Sequence, residues 1–402
     1  MHSPRAGILL ALTIILTNVS TGWAQPSVLV ARNKLQSKTE NGTVTRAEVG
    51  EVVTLIEQKG ERYRVLTQRG FRGWVRLESV VPLKDAAPLY GQLIRQSPDD
   101  ARLYQMRGNV WAARGEAEKA VADYGRAIKL AEPNPELYLR RGVFLIQMQK
   151  HDAAIADFDH AAKLGAKGPP VHANRAAALM AKEDYTSALS DYTILIELSP
   201  DKPDWYVQRG IANRRAGKWE DAIGDFSRAI ELAPDNLSAI GHRGFAYYRI
   251  GEHTKAVEDF SEVIRLNPED AVAYNNRGFN RQSAGDYKGA QADYRKAIEL
   301  APEYPLALQN MAWFMTTCPD EAYRDGKAAL QTAKRLCELR RYQLPSDLKA
   351  LAAAHAELGD FKSAVEYQTK VVKLTEGDAQ TEEQEILRLY TTDRPFRSPN
   401  ES

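Results

Sequence analysis

The chain has 402 residues but only two cysteines, Cys318 and Cys337, so it is not a disulfide-stapled scaffold and must be held together by packing. Charge of one sign is also missing: 54 basic side chains meet 53 acidic ones, a formal balance of +1. That excludes the one-sided basic field with which nucleic-acid binders displace counterions from phosphates, and no nucleic-acid partner is expected. No apolar run beyond residue 24 reaches the length of a membrane span. Catalytic signatures are equally scarce. The seven histidines are scattered without a His-Glu-x-x-His spacing, and there is neither a phosphate-binding glycine loop nor a nucleophile elbow. His160 and His172 flank the Gly165 to Pro170 loop, yet two histidines without a third ligand make a poor metal site. No enzymatic activity, metal or cofactor is expected.

At the N-terminus, Arg5 precedes a mostly apolar stretch from Gly7 to Val19, and Gly22-Trp23-Ala24 offers the small residues a signal peptidase inspects. Residues 1–24 therefore read as a cleavable export signal, too short to serve comfortably as an anchor. With no Cys near the cleavage site, lipid modification is disfavoured. The expected location is the periplasm or cell envelope, with secretion as the alternative and no integral membrane span after cleavage.

Residues 26–83 alternate apolar and polar positions in short runs, as in Glu51-Val52-Val53-Thr54-Leu55-Ile56, with turns at Asn41-Gly42, Lys59-Gly60 and Arg69-Gly70. The pattern predicts a small all-β barrel of about five antiparallel strands. Its Gly50-Glu51-Val52, Tyr63-Arg64-Val65 and Gly73-Trp74-Val75 segments resemble the bacterial SH3-like domain of exported envelope proteins. Tyr63, Phe71 and Trp74 are candidates for an aromatic groove taking a peptide or a cell-wall glycopeptide. The competing reading makes Trp74 a packing residue of the closing strand.

From residue 84 the period becomes helical. Six times, at intervals of 34, an Arg followed by Gly or Ala (Arg107, Arg141, Arg175, Arg209, Arg243, Arg277) precedes an Asp followed by an aromatic (Asp123, Asp157, Asp191, Asp225, Asp259, Asp293). Small residues recur at position 8 (Gly108, Gly142, Ala176, Gly210, Gly244, Gly278, Ala312) and at position 20 (Ala120 to Ala290), with Tyr or Phe at position 24. Two helices cross closely only where side chains are small, and the aromatic fills the space beside the crossing. Pro200, Pro234, Pro268 and Pro302 end the second helices. This register resembles the tetratricopeptide repeat. The resemblance implies a mainly α chain: a right-handed α-solenoid of about eight helical hairpins plus an N-terminal half repeat, behind the small β-barrel.

In that register, residues 84–100 form a half-repeat capping helix and 101–304 six regular repeats. Residues 305–375 form two divergent repeats, because Ala352 follows Ala312 by 40 instead of 34. The six extra residues are expected between Thr317 and Gly326, and 376–402 as a polar C-terminal tail with one short helical run, Glu382 to Tyr390. Cys318 and Cys337 fall at opposite ends of a hairpin, roughly 15–20 Å apart at the helical rise, so two free thiols are expected, with Cys337 partly buried.

The Arg and Asp series read as ion pairs fixing hairpin geometry, with pairing within each repeat favoured because it satisfies all six. As partly exposed pairs they would contribute roughly 0–1 kcal/mol each. The family resemblance implies that first-helix positions 2, 5, 9, 12 and 13 line a concave surface. There Ile211, Phe245, Phe279 and Trp313 make an apolar and increasingly aromatic stripe, joined by Tyr248 and bordered by Arg214, Arg215 and Arg249. Aromatic anchors ringed by Arg are the composition of a protein-binding hot spot. The bland alternative packs these rings against the neighbouring repeat. The Lys and Asn clamp with which one subclass holds a terminal carboxylate is missing. The expected function is an exported, non-enzymatic scaffold binding a peptide or protein in the groove. The alternative is a cell-wall-associated structural protein whose barrel binds peptidoglycan.

Overall fold

A computed structural model describes residues 28–31, 35–38, 44–47, 52–67, 72–76 and 79–398. The segment expected to be the export signal, and Phe71, lie outside the described residues. Two compact units result, residues 1–200 and 201–402.

The first unit opens with β1 (Val28–Ala31), β2 (Leu35–Lys38), β3 (Val44–Ala47), β4 (Val52–Lys59), β5 (Arg62–Thr67), β6 (Arg72–Arg76) and β7 (Val80–Pro82). Five strands form an antiparallel sheet in the order β6-β5-β4-β1-β7, while β2 and β3 pair separately. Val53, Val65, Val75 and Val80 are its buried core. Helix α1 (Leu83–Gln96) follows directly, and Val81 and Leu83 join Ala86, Ala87, Tyr90 and Val110 in one apolar cluster. The helix thus seals both the sheet and the first hairpin. Three hairpins complete the unit: α2 (Ala101–Ala113) with α3 (Ala117–Leu130), α4 (Pro135–Gln147) with α5 (His151–Lys163), and α6 (Pro169–Ala181) with α7 (Tyr185–Leu198).

The second unit stacks α8 (Pro203–Arg215) with α9 (Trp219–Leu232), α10 (Leu237–Arg249) with α11 (His253–Leu266), and α12 (Ala271–Ser283) with α13 (Tyr287–Leu300). It continues with α14 (Pro305–Thr317) and α15 (Gly326–Leu339), α16 (Pro345–Glu357) and α17 (Phe361–Leu374), and ends in α18 (Gly377–Thr391). First helices start at a proline, whose missing N–H costs nothing in the first turn, or behind a cap such as Asp270, which accepts from the N–H groups of Val272 and Ala273. Second helices stop at Leu198, Leu232, Leu266 and Leu300, two residues short of each proline.

Crossings are as close as the small-residue pattern demands. A Cβ on Gly142 would lie 2.6 Å from the Phe158 ring, and one on Gly210 2.6 Å from Phe226. All six Arg–Asp pairs form within their own repeat, each Arg donating through Nε and Nη2 at 2.6 to 3.1 Å. The expectation of partly exposed pairs is corrected at one end: every one of these aspartates is buried.

Two expectations for the C-terminal region also change. The turn between α14 and α15 spans residues 318–325, against 284–286 in the preceding repeat, and includes a 3-10 turn at Glu321–Tyr323. It holds five of the extra residues; the sixth lies between α15 and α16, where Arg341 and Tyr342 both take positive φ. The polar tail contains a helix of 15 residues, α18, which packs with Ile386 and Tyr390 buried against Ala352, Ala356 and Ala364. Beyond it the chain returns to α14. The Ser398 N–H donates to the Thr317 carbonyl at 2.9 Å, Arg397 Nη1 donates to the Thr316 carbonyl at 3.0 Å, and Arg397 pairs with Glu357 at 2.7 Å. The extended turn leaves the last carbonyls of α14 without a following helical turn, and the chain end supplies their donors.

Candidate functional site

On the first helices of the second unit, the predicted stripe comes together as a continuous set of rings. Phe245 meets Tyr248 edge-on at 5.7 Å, and Tyr248 meets Phe279 of the next repeat edge-on at 5.3 Å. Trp219, at the start of α9, extends the row to Phe245 at 6.3 Å. Edge-to-face contacts are the favoured aromatic geometry and hold the rings in place. All four stay partly exposed, so neighbour packing and an open face coexist. Ile211 sits at one end, touching the apolar cluster of Val207, Ala229 and Ala239. Trp219 was missed in the sequence because its slot, the first residue of the second helix, reads as ordinary repeat packing.

Trp313 does not belong to the open stripe. Phe396 covers it at a ring separation of 5.6 Å, and Lys349 lies over its ring at 5.0 Å. The returning chain end occupies this part of the first-helix face, a long-range contact no local pattern announces.

The arginines border the rings as expected. The Arg214 guanidinium stands 5.5 Å over Phe245 and that of Arg249 4.4 Å over Trp219, while Arg215 is exposed. Burial and the neighbouring Arg215 hold the Arg214 guanidinium below its ordinary pKa. His242, whose ring is tilted against Phe226 at 5.5 Å, is pushed down to about 4 by burial, with Arg214 and Arg215 adding to the effect. It is therefore neutral at pH 7.

In the sheet domain the candidates do not converge. Tyr63 lies opposite Val75 and packs on the core, whereas Trp74 lies opposite Arg64 and is 39% exposed on the other face. Trp74 borders a shallow cavity of about 220 Å3 with Lys59 and Arg62. His172 bonds Asp191 and His160 bonds the Ala156 carbonyl; the two do not meet. Among the described residues no group of three or more His, Cys, Asp or Glu side chains could hold a metal ion, and no helix is long and apolar enough to cross a membrane.

Stacked helical hairpins with an aromatic first-helix face define a helical-repeat interaction protein. Models of the tetratricopeptide repeat match residues 83–135, 135–164, 175–240, 237–270, 271–304 and 350–378, and the chain belongs to the tetratricopeptide repeat family. Among solved structures it is similar to the C-terminal part of a TPR repeat-containing protein from Cytophaga hutchinsonii, at 21% identity over 61% of this chain and 98% of that one, with a TM-score of 0.52. It is also similar to MamA from Desulfovibrio magneticus RS-1, at 24% identity over 42% and 96% with a TM-score of 0.40. A tetratricopeptide repeat protein from Parabacteroides merdae gives 16% identity over 75% and 98%, with a TM-score of 0.43. No curated protein matches the chain.

Proposed function

We propose that the chain is an exported, non-enzymatic scaffold that binds a peptide or protein segment along the first-helix face of its second unit. One observation carries this reading: the partly exposed row of Trp219, Phe245, Tyr248 and Phe279 is fixed ring against ring and ringed by arginines. Rigid aromatic anchors lose little conformational freedom on binding and bury a large area, which is why they dominate interface energetics. The expected location in the envelope rests on the Arg5 to Ala24 pattern and is checked by the N-terminus of the mature chain. A ligand groove in the sheet domain is the weaker reading, since Tyr63 and Trp74 point to opposite faces.

The test is a random-peptide array probed with the full chain. The wild type is expected to retain a reproducible subset of peptides, and Phe245→Ala with Phe279→Ala to lose that subset while the helical circular-dichroism signal stays unchanged. Retention by the folded double variant would make the row purely structural.

A further inference from the structure

The first helices of the second unit that carry the open stripe are unusual in charge. Between Trp205 and Arg215, through all of α10, and through all of α12, there is no Asp or Glu. Of the arginines there, Arg209, Arg243 and Arg277 are bound by aspartates of their own second helices, and Arg281 by Asp293 and Asp286. Among the described residues Arg214, Arg215 and Arg249 form no ion pair, and the buried Nε of Arg214 has no hydrogen-bond partner. The acidic residue nearest Arg249 in sequence, Glu252, is taken by Lys255.

Placement at helix C-termini accounts for an exposed cation such as Arg215, since the last carbonyls favour positive charge. It does not account for Arg214, which is drawn out of water with a donor left unmatched. Stacking explains how Arg214 and Arg249 are held: each guanidinium lies over a ring, Phe245 or Trp219, and those two rings adjoin. A guanidinium fixed by its face keeps its two terminal N–H groups in plane, the geometry that takes a carboxylate with two parallel bonds.

We infer that the occupant of this face is an acidic peptide segment, its Asp or Glu carboxylates taken by the stacked pair Arg214 and Arg249 with Arg215 at the rim, and its apolar side chains laid on Phe245, Tyr248 and Phe279. This rests on the groove reading above and adds the partner's chemistry. A carboxylate on the terminal N–H groups supplies the counter-charge that Arg214 lacks among the described residues. The nearly neutral chain as a whole offers no extended basic field for a phosphate polymer.

The experiment uses fluorescence anisotropy on the full chain with a short labelled peptide of alternating glutamate and phenylalanine, and its glutamine counterpart. The glutamate peptide is expected to bind at least about tenfold more tightly, and raised salt to narrow the gap by screening. Arg214→Gln with Arg249→Gln should close it with helicity intact, while lysine at both positions should restore only part, because the fork is lost. Equal affinities for the two peptides, a preference that survives the glutamine double variant, or tighter binding of a phosphoserine peptide or single-stranded DNA would overturn the inference. If both peptides bind equally and Phe245→Ala with Phe279→Ala abolishes both, the groove stands and only the charge assignment falls. If neither binds, the acidic-peptide assignment falls, and the peptide array decides the groove separately.

Discussion

The residue that does most to set the spacing of these hairpins is the arginine at position 7. It donates through two nitrogens to the buried aspartate of its own repeat, and its third nitrogen reaches the second helix of the repeat before. Arg175 bonds Asp159 at 2.7 Å, Arg243 bonds the Ser227 hydroxyl at 3.1 Å, and Arg277 bonds that of Ser261 at 3.2 Å. Where that preceding residue is glycine, as at Gly91 and Gly125, the guanidinium lies against the bare backbone. The series ends where Met311 takes the arginine slot, and there the preceding repeat places Arg295 at the position otherwise kept small or acceptor-bearing. One side chain therefore ties a hairpin internally and to its neighbour. Hydrogen bonding to the aspartates raises the pKa of Arg107, Arg141, Arg175, Arg209 and Arg243, so these arginines stay charged, while burial raises that of the Asp259 carboxyl against the pull of Arg243. Because the aspartate is buried, removing the arginine strands a carboxylate. Arg243→Met should cost about 3 kcal/mol, and adding Asp259→Leu should recover most of it, as replacement of a whole buried pair by apolar groups often does. Urea midpoints of the single and double variants check this. A double variant no more stable than the single one would show that the aspartate does not bear the cost.

At the scale of the element, the turns inside the hairpins obey a conformational rule. In every hairpin but that of α14 and α15, the residue two before the second helix takes positive φ: Gly115, Gly217, Gly251, Gly285 and Gly359 lie between +74° and +81°, but Gln149 and Glu183 occupy the same slot at +58° and +64°. An L side chain there costs roughly 1–2 kcal/mol, partly offset by the entropy a glycine loses on folding. Glu183→Gly should therefore raise stability by about 0.5–1 kcal/mol, seen as a higher urea midpoint. A lower midpoint would mean that the Glu183 side chain contributes more than its backbone strain costs. The hairpins were legible from sequence because glycine, alanine and aromatic slots survive in every regular repeat. The end of the chain was not. In α18 only Glu383, Ile386 and Tyr390 are buried among 15 residues, so its composition reads as a solvated tail. The loss of Trp313 from the stripe depends on Phe396 and Arg397, and Arg397 bonds a carbonyl 81 residues upstream. No periodic signal links such positions. Ile211, Phe245 and Phe279 were legible, since one slot repeats in register, whereas Trp219 in the row and the stacking of Arg214 and Arg249 on rings needed coordinates.

For the molecule as a whole, stability comes from neighbour-to-neighbour packing without a covalent tie. Cys318 is buried with Tyr294, Met315 and Ala329, and Cys337 in a different cluster with Leu348, Leu351 and Val371. Both thiols are free, and Cys337 is fully buried, where the sequence led us to expect partial burial. Burial raises both thiol pKa values, that of Cys337 up to about 12, so at pH 8 both are protonated and unreactive. An oxidising envelope would offer such a chain no disulfide, but burial alone keeps the sulfurs from oxidants. Native protein from the envelope fraction, treated with iodoacetamide at pH 8, should show no alkylation by intact mass. After denaturation it should gain two carbamidomethyl groups per chain, matching its two cysteines, on a mass that lacks residues 1–24. Dithiothreitol should leave the thermal midpoint unmoved. A denatured chain that takes up no label until reduced would reveal a disulfide and overturn the placement of the cysteines in separate clusters, whereas a mass retaining the first 24 residues would overturn cleavage alone. The two failures are read from the same spectrum and cannot be mistaken for each other, because one changes the label count and the other the length of the chain.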